Sequence, residues 1–205
     1  MGRSESLLAF VLTLVAVPSA FGQTPGLRDG PRYGLARTAH NRAVQDELDL
    51  SAEQIEGIDS LYEEIKVTDW TPEDVDKGVD MENLRERQKL RQESHEKGEK
   101  RLAAILSPRQ FVRLNQIWLQ QLGAFALRRA DIAAQLELTD EQIQKIVKIE
   151  RQSVKDRRTA APREKVKTTE AAKAQMLAAL TEEQQAKWKE MLGERFDLRF
   201  RPSPD

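Results

Sequence analysis

The sequence predicts an all-α protein: extended helical hairpins in two tandem units, with little or no β structure. Three observations predict it. A leucine, a serine or threonine and, three residues later, a glutamine recur four times, as LSAEQ (Leu50–Gln54), LSPRQ (Leu106–Gln110), LTDEQ (Leu138–Gln142) and LTEEQ (Leu180–Gln184). After each copy, apolar residues return every three or four positions, the period of a helix. Charged residues make up 33% of the chain and aromatic residues 5%, against a usual charged share of about a quarter. That is the composition of long solvated helices.

Each copy is a capping box. The Ser or Thr oxygen accepts from the backbone N–H three residues on, and the Gln side chain reaches back to the cap N–H, so two donors orphaned at a helix start are satisfied together. Leu50 with Ile55, Leu106 with Phe111, and Leu138 with Ile143 have the spacing of hydrophobic staples, whereas the fourth copy carries Gln185 at that place. Pro108 sits where a missing N–H costs nothing. Asp140, Glu141, Glu182 and Glu183 favour the positive end of a helix dipole. Leu50, Ser51, Gln54, Leu106, Ser107, Gln110, Leu138, Thr139, Gln142, Leu180, Thr181 and Gln184 are therefore helix-starting residues. Copies one and three share the form LxL[ST]xxQIxxI; copies two and four follow LAAIL or LAAL and lead into a bulky cluster. This alternation makes two tandem units. Leu50 and Leu106 are 56 residues apart and Leu138 and Leu180 are 42 apart, so the first unit is longer; the excess falls around Lys66–Gly78.

Residues 1–22 read as a signal peptide. Arg3 is basic, Leu7–Val17 is an apolar run of 11 residues, Pro18 breaks it, and Ala20 and Gly22 place cleavage before Gln23. The run is too short to span a bilayer, no later stretch is apolar enough, and no cysteine offers a lipid anchor, so no stable membrane anchor is expected. Residues 23–47 read as a flexible segment with a short helix over Tyr33–Glu47. The first unit, 48–122, carries helices at about Ala52–Val67, Pro72–Leu106 and Pro108–Leu122. Within it, Arg85–Arg101 has one apolar residue, Leu90, in 17, and reads as a solvated arm buried on no face, held by the i,i+4 pairs Glu93–Lys97 and Glu96–Lys100. The second unit, 123–195, carries helices at about Ala124–Leu136, Asp140–Thr159, Pro162–Leu180 and Glu182–Gly193. Pro162 breaks what would otherwise be one long helix, and Gly123 and Gly193 suit helix C-termini. Residues 196–205 read as a loose tail.

The net charge of −1 is unevenly spread. Asp46–Glu82 holds 14 acids and 2 bases, and Lys145–Lys167 holds 9 bases and 3 acids. Such asymmetry orients a partner or pairs two subunits head to tail. Within one molecule, Arg157–Lys167 is expected to dock on the acidic segment. The neutral total and the export signal argue against nucleic acid as a partner. The chain has no nucleophile motif, no Cys/His pair and no phosphate-cradling glycine loop, so no catalytic residue and no cofactor is assigned. It has two histidines, His40 and His95, and no cysteine. His95–Glu99, HEKGE, lacks the second histidine of a zinc-binding HExxH, so no metal ligand is assigned. Phe111, Leu114, Ile117, Trp118, Trp188, Met191 and Leu192 form a candidate apolar client surface; the competing reading of the same seven is inter-helix core.

Taken together, the signal peptide, the lack of cysteine, the helical pattern and LSAEQ, LSPRQ, LTDEQ and LTEEQ resemble the Spy/CpxP-like, LTXXQ-motif family of exported proteins. Two boxes per domain is that family's pattern, so the resemblance covers about Leu48–Gly193 as two duplicated units. It implies thin helical hairpins that dimerise into a curved cradle. The best-known member is an ATP-independent periplasmic chaperone, another is an inhibitory partner of an envelope-stress sensor kinase, and relatives bind zinc, nickel or cobalt. The expectations that follow are a periplasmic or secreted location, a role in shielding unfolded or stressed envelope proteins, and such proteins or a second copy of the chain as partners. A stress-signalling adaptor and a metal-sensing relative are the alternatives. The chain departs from the family in its acidic first third. Its duplication also lets two units pair within one chain in place of a homodimer.

Overall fold

All four boxes start a helix. The computed structural model describes residues 34–66 and 81–197. In chain order they form α1 (Leu35–Ala39), α2 (Arg42–Glu47), α3 (Ala52–Lys66), α4 (Met81–Ile105), α5 (Pro108–Leu122), a 3-10 segment (Gly123–Arg128), α6 (Ala130–Gln135), α7 (Asp140–Thr159), α8 (Pro162–Leu177) and α9 (Glu182–Leu192). Among the described residues the fold is all-α, with no strand. The expected signal peptide, the remaining residues before Gly34, residues 67–80 of the first unit and the tail beyond Asp197 lie outside the described residues.

Two expected helices are each split in two. Tyr33–Glu47 divides into α1 and α2 at Asn41, which is extended (φ −72°, ψ 126°) and accepts from the Ala43 N–H. An Asn side chain that bonds its own backbone competes with helix continuation. Ala124–Leu136 divides at Arg129 (φ −79°, ψ 136°). There the Asp131 carboxylate accepts from Arg129 at 2.8 and 3.2 Å, and the guanidinium lies 5.3 Å from the centre of the Trp118 ring. Both breaks fall ten residues before a cap residue, Ser51 or Thr139.

Both short helices also end alike. The Leu48, Asp49 and Leu50 N–H groups donate to Val44, Asp46 and Gln45, and those of Leu136, Glu137 and Leu138 donate to Ile132, Ala134 and Ala133. Asp49 and Glu137 take the left-handed conformation such a turn needs, with φ of 49° and 53°. The repeat therefore starts well before its first box. Leu35, Ala36, Ala39 and Val44, which precede the expected first unit, are part of the core.

The polar arm is also buried along one face, contrary to expectation. His95 and Gly98 are buried, Arg91 and Ser94 are half-buried, and Leu102 continues the row. A Cβ at Gly98 would lie 2.3 Å from Ile65 Cδ1, and one at Gly57 would lie 3.3 Å from Ile105 Cδ1. These glycines bring α3 and α4 together along a stripe too small and polar to register as hydrophobic. The pairs Glu93–Lys97 and Glu96–Lys100 are not formed: Lys89 approaches Glu93 at 4.0 Å, and Gln92 donates to Glu96 at 2.9 Å.

One core joins the units. Ile58, Leu61, Leu102, Leu114 and Ile117 from the first share it with Ile143, Ile146, Met176 and Trp188 from the second. At the seam, the Gln120 amide donates to the Leu192 and Glu194 carbonyls, both at 2.7 Å, and accepts from the Phe196 N–H at 2.9 Å. Arg113 bridges the Glu47 carboxylate and the Glu194 carbonyl. A buried ion pair, Arg128 with Glu150, ties the 3-10 segment to α7.

Candidate functional site

Two arrangements stand out, a structural clasp at the base of each hairpin and an open groove at the tip of the second. The clasp explains the glutamines. The Ser51, Ser107, Thr139 and Thr181 oxygens accept from the N–H of Gln54, Gln110, Gln142 and Gln184 at 3.2, 3.4, 3.3 and 3.2 Å. Each Gln Oε1 accepts from its own cap N–H at 2.9–3.1 Å. The other end of each amide then crosses to the partner box. Gln54 donates to the Ile105 carbonyl and to Gln110 Oε1, both at 2.9 Å. Gln110 donates to the Leu48 carbonyl at 3.1 Å and to Gln54 Oε1 at 3.2 Å. The second unit repeats this: Gln142 donates to the Ala179 carbonyl and Gln184 Oε1, while Gln184 donates to the Leu136 carbonyl and Gln142 Oε1. An amide accepts at one end and donates at the other; a glutamate would cap as well but could not donate. The twelve motif residues are thus brought together in two groups of six, each a clasp between two boxes.

The fourth box lacks a staple and compensates. Gln185 donates to the Leu180 carbonyl at 3.2 Å and to that of Leu177 at 3.4 Å. At the third box, Glu141 sits in the first turn of α7. Its own backbone N–H and the Thr139 hydroxyl hold its carboxyl below the ordinary value of 4.5. The carboxylate therefore stabilises the fold above that pH, and the contribution fades as pH falls through the lowered value.

The candidate apolar client surface does not lie open. Phe111, Leu114, Ile117, Trp118 and Trp188 are buried, and Met191 and Leu192 are half-buried against the same core. The reason is the seam: α5 and α9 turn these faces toward each other. The competing reading, inter-helix core, is the one the structure shows.

Apolar groups are exposed at the tip of the α7–α8 hairpin instead. Core packing on α7 extends as far as Ser153, and on α8 the buried residues are Ala172 and Met176. Between them an open groove of about 580 Å³ is lined by Val154, Arg157, Arg158, Lys165, Val166, Thr169 and Glu170. Val154 is 37% exposed and Val166 is 64% exposed. On the opposite side of the tip, Asp156, Thr159, Glu164 and Lys167 line a more polar hollow. The turn itself is Pro162 at the first helical position and half a capping box, Glu164 accepting from the Ala161 N–H at 3.2 Å. Ala161 has no side-chain oxygen to form the other half.

Sequence reasoning found this basic stretch but not its valines. Their signal is two β-branched residues, twelve apart, in an otherwise polar run across Pro162. The expected docking of Arg157–Lys167 on the acidic segment is absent among the described residues: no hydrogen bond or ion pair joins it to residues 46–66, and 161–167 are exposed. Arg157–Lys167 lies beyond Ser153, where core packing on α7 ends. His40 and His95 are far apart in role. His40 Nδ1 meets Asp59 at 2.8 Å and its ring stacks on Tyr62, while His95 is buried in α4. Among the described residues no three His, Cys, Asp or Glu side chains are grouped to hold a metal, and no helix is long and apolar enough to cross a membrane. No family model, no curated protein and no solved structure matches the chain, so the likeness to the LTXXQ-motif family rests on the four boxes and their surroundings.

Proposed function

We propose that this chain is an exported, non-enzymatic binding protein of chaperone type that shields unfolded or stressed envelope proteins in the periplasm or outside the cell. The observation that carries this reading is the hairpin-tip groove. Val154 and Val166 offer an unfolded segment apolar contact, and Arg157, Arg158 and Lys165 draw in its acidic residues. Leu90, 54% exposed on α4, adds an apolar point on the first hairpin. Small apolar patches ringed by charge suit weak contact with many clients, whereas one tight partner calls for a larger dry patch.

The test uses the chain from Gln23 onward, titrated into an unfolding client and followed by light scattering. Equimolar protein is expected to suppress aggregation. The Val154→Ser, Val166→Ser double variant is expected to need several-fold more protein for the same effect while keeping its helical content. Unchanged aggregation at several-fold excess of the wild-type chain would overturn the reading. The basic rim also favours a second reading, an adaptor that binds one acidic partner. That complex would dissolve at high salt, whereas suppression led by the valines would persist.

A further inference from the structure

The charged residues of the two hairpins are complementary, and among the described residues they do not meet. Lys145, Lys148, Arg151, Lys155, Arg158 and Lys165 are exposed, and no acid among the described residues pairs with them. The acids in the same stretch are engaged locally: Glu150 with Arg128, Asp156 with the Gln152 amide, Glu164 with the Ala161 N–H. On the first unit, Asp46, Asp49, Glu53 and Glu56 are exposed and likewise meet no base. Glu53, Glu56 and Glu63 repeat at three and seven, one outward stripe along α3, in which Glu63 is paired with Lys66.

We propose that the basic α7–α8 hairpin of one molecule docks on the acidic α3 face of a second copy of this chain. Charge complementarity identifies the occupant, because one molecule supplies both halves of the contact and, among the described residues, does not join them. The two patches are different surfaces, so the contact is head to tail. Each addition leaves one acidic face and one basic hairpin free, and assembly continues until a ring closes or the chain remains open. The inference does not rest on the client-binding reading: it is read from mass alone, without any client.

Sedimentation of the chain from Gln23 tests it. Electrostatic reach is about 30 Å at 0.01 M salt and about 3 Å at 1 M, so species larger than a dimer are expected at the low value and monomer at the high one. One variant reverses the hairpin (Arg157→Glu, Arg158→Glu, Lys165→Glu) and another the acidic stripe (Glu53→Lys, Glu56→Lys, Glu63→Lys). Each alone is expected to stay monomeric with unchanged circular dichroism. Mixed, they are complementary at both contacts, intact stripe with intact hairpin and reversed hairpin with reversed stripe, and are expected to assemble again at low salt. Three outcomes would overturn the proposal: a wild-type chain monomeric at low salt, single variants that assemble like the wild type, or a mixture that stays monomeric. A monomeric wild type that binds phosphatidylglycerol vesicles through Arg157, Arg158 and Lys165 would assign the hairpin to an anionic surface instead.

Discussion

Glutamine at the last position of each box carries two tasks, and Glu can do one of them. In Gln110→Glu the carboxylate still accepts from the Ser107 N–H. It also faces the Leu48 carbonyl and Gln54 Oε1, to which the native amide donates at 3.1 and 3.2 Å. Leaving such acceptors unpaired costs about 1–3 kcal/mol. The urea midpoint of Gln110→Glu is therefore expected to fall by that equivalent with the slope unchanged. A midpoint equal to wild type would show that capping alone is what the motif provides. The cap was legible in the sequence because its partners lie three residues apart. The amide crossing was not, because Gln54 and Gln110 are 56 residues apart and only the folded hairpin brings them within reach.

Among the elements, α4 shows where hydrophobic counting fails. Its contact with α3 runs through Gly98, where a side chain would be 2.3 Å from Ile65 Cδ1. Alanine in place of glycine ordinarily adds about 1 kcal/mol to a helix. Here Gly98→Ala is expected to forfeit that gain, and Ile65→Val, which removes the obstructing methyl, is expected to restore it in the double variant. Additive effects of the two substitutions in thermal unfolding would mean that the helices are not held this closely. Long elements with regular apolar spacing, such as α5 and α7, were legible from the sequence. The breaks at Asn41 and Arg129 were not, since each depends on a side chain bonding its own surroundings rather than on Pro or Gly.

For the whole molecule, the duplication gives two copies of one plan but a single core. Trp118 lies in the first unit and Trp188 in the second, both within that core. With Trp70 replaced by Phe, tryptophan fluorescence and far-ultraviolet circular dichroism are expected to report one coincident unfolding transition, as a two-state domain does. Two separated transitions would show that the units fold independently and that the α5–α9 seam is weak. The tandem order was readable from the alternating boxes. The fate of the bulky residues after boxes two and four was not, because the same Phe111, Leu114 and Trp188 serve equally as an open surface or as a seam until the partner helix is known.

The placement of the clasps also gives the second hairpin a mechanical character. Gln142 and Gln184 bind it at its root, while the Pro162 end stands free of the core. Beyond Ser153, where core packing on α7 ends, six residues at about 1.5 Å each make a tip about 9 Å long with its fastening at one end. A pull at the tip would peel α8 from α7 toward the root, and the amide pair would be the last bond to yield. Such an arm can be bent by whatever it grips without loosening the body that carries it.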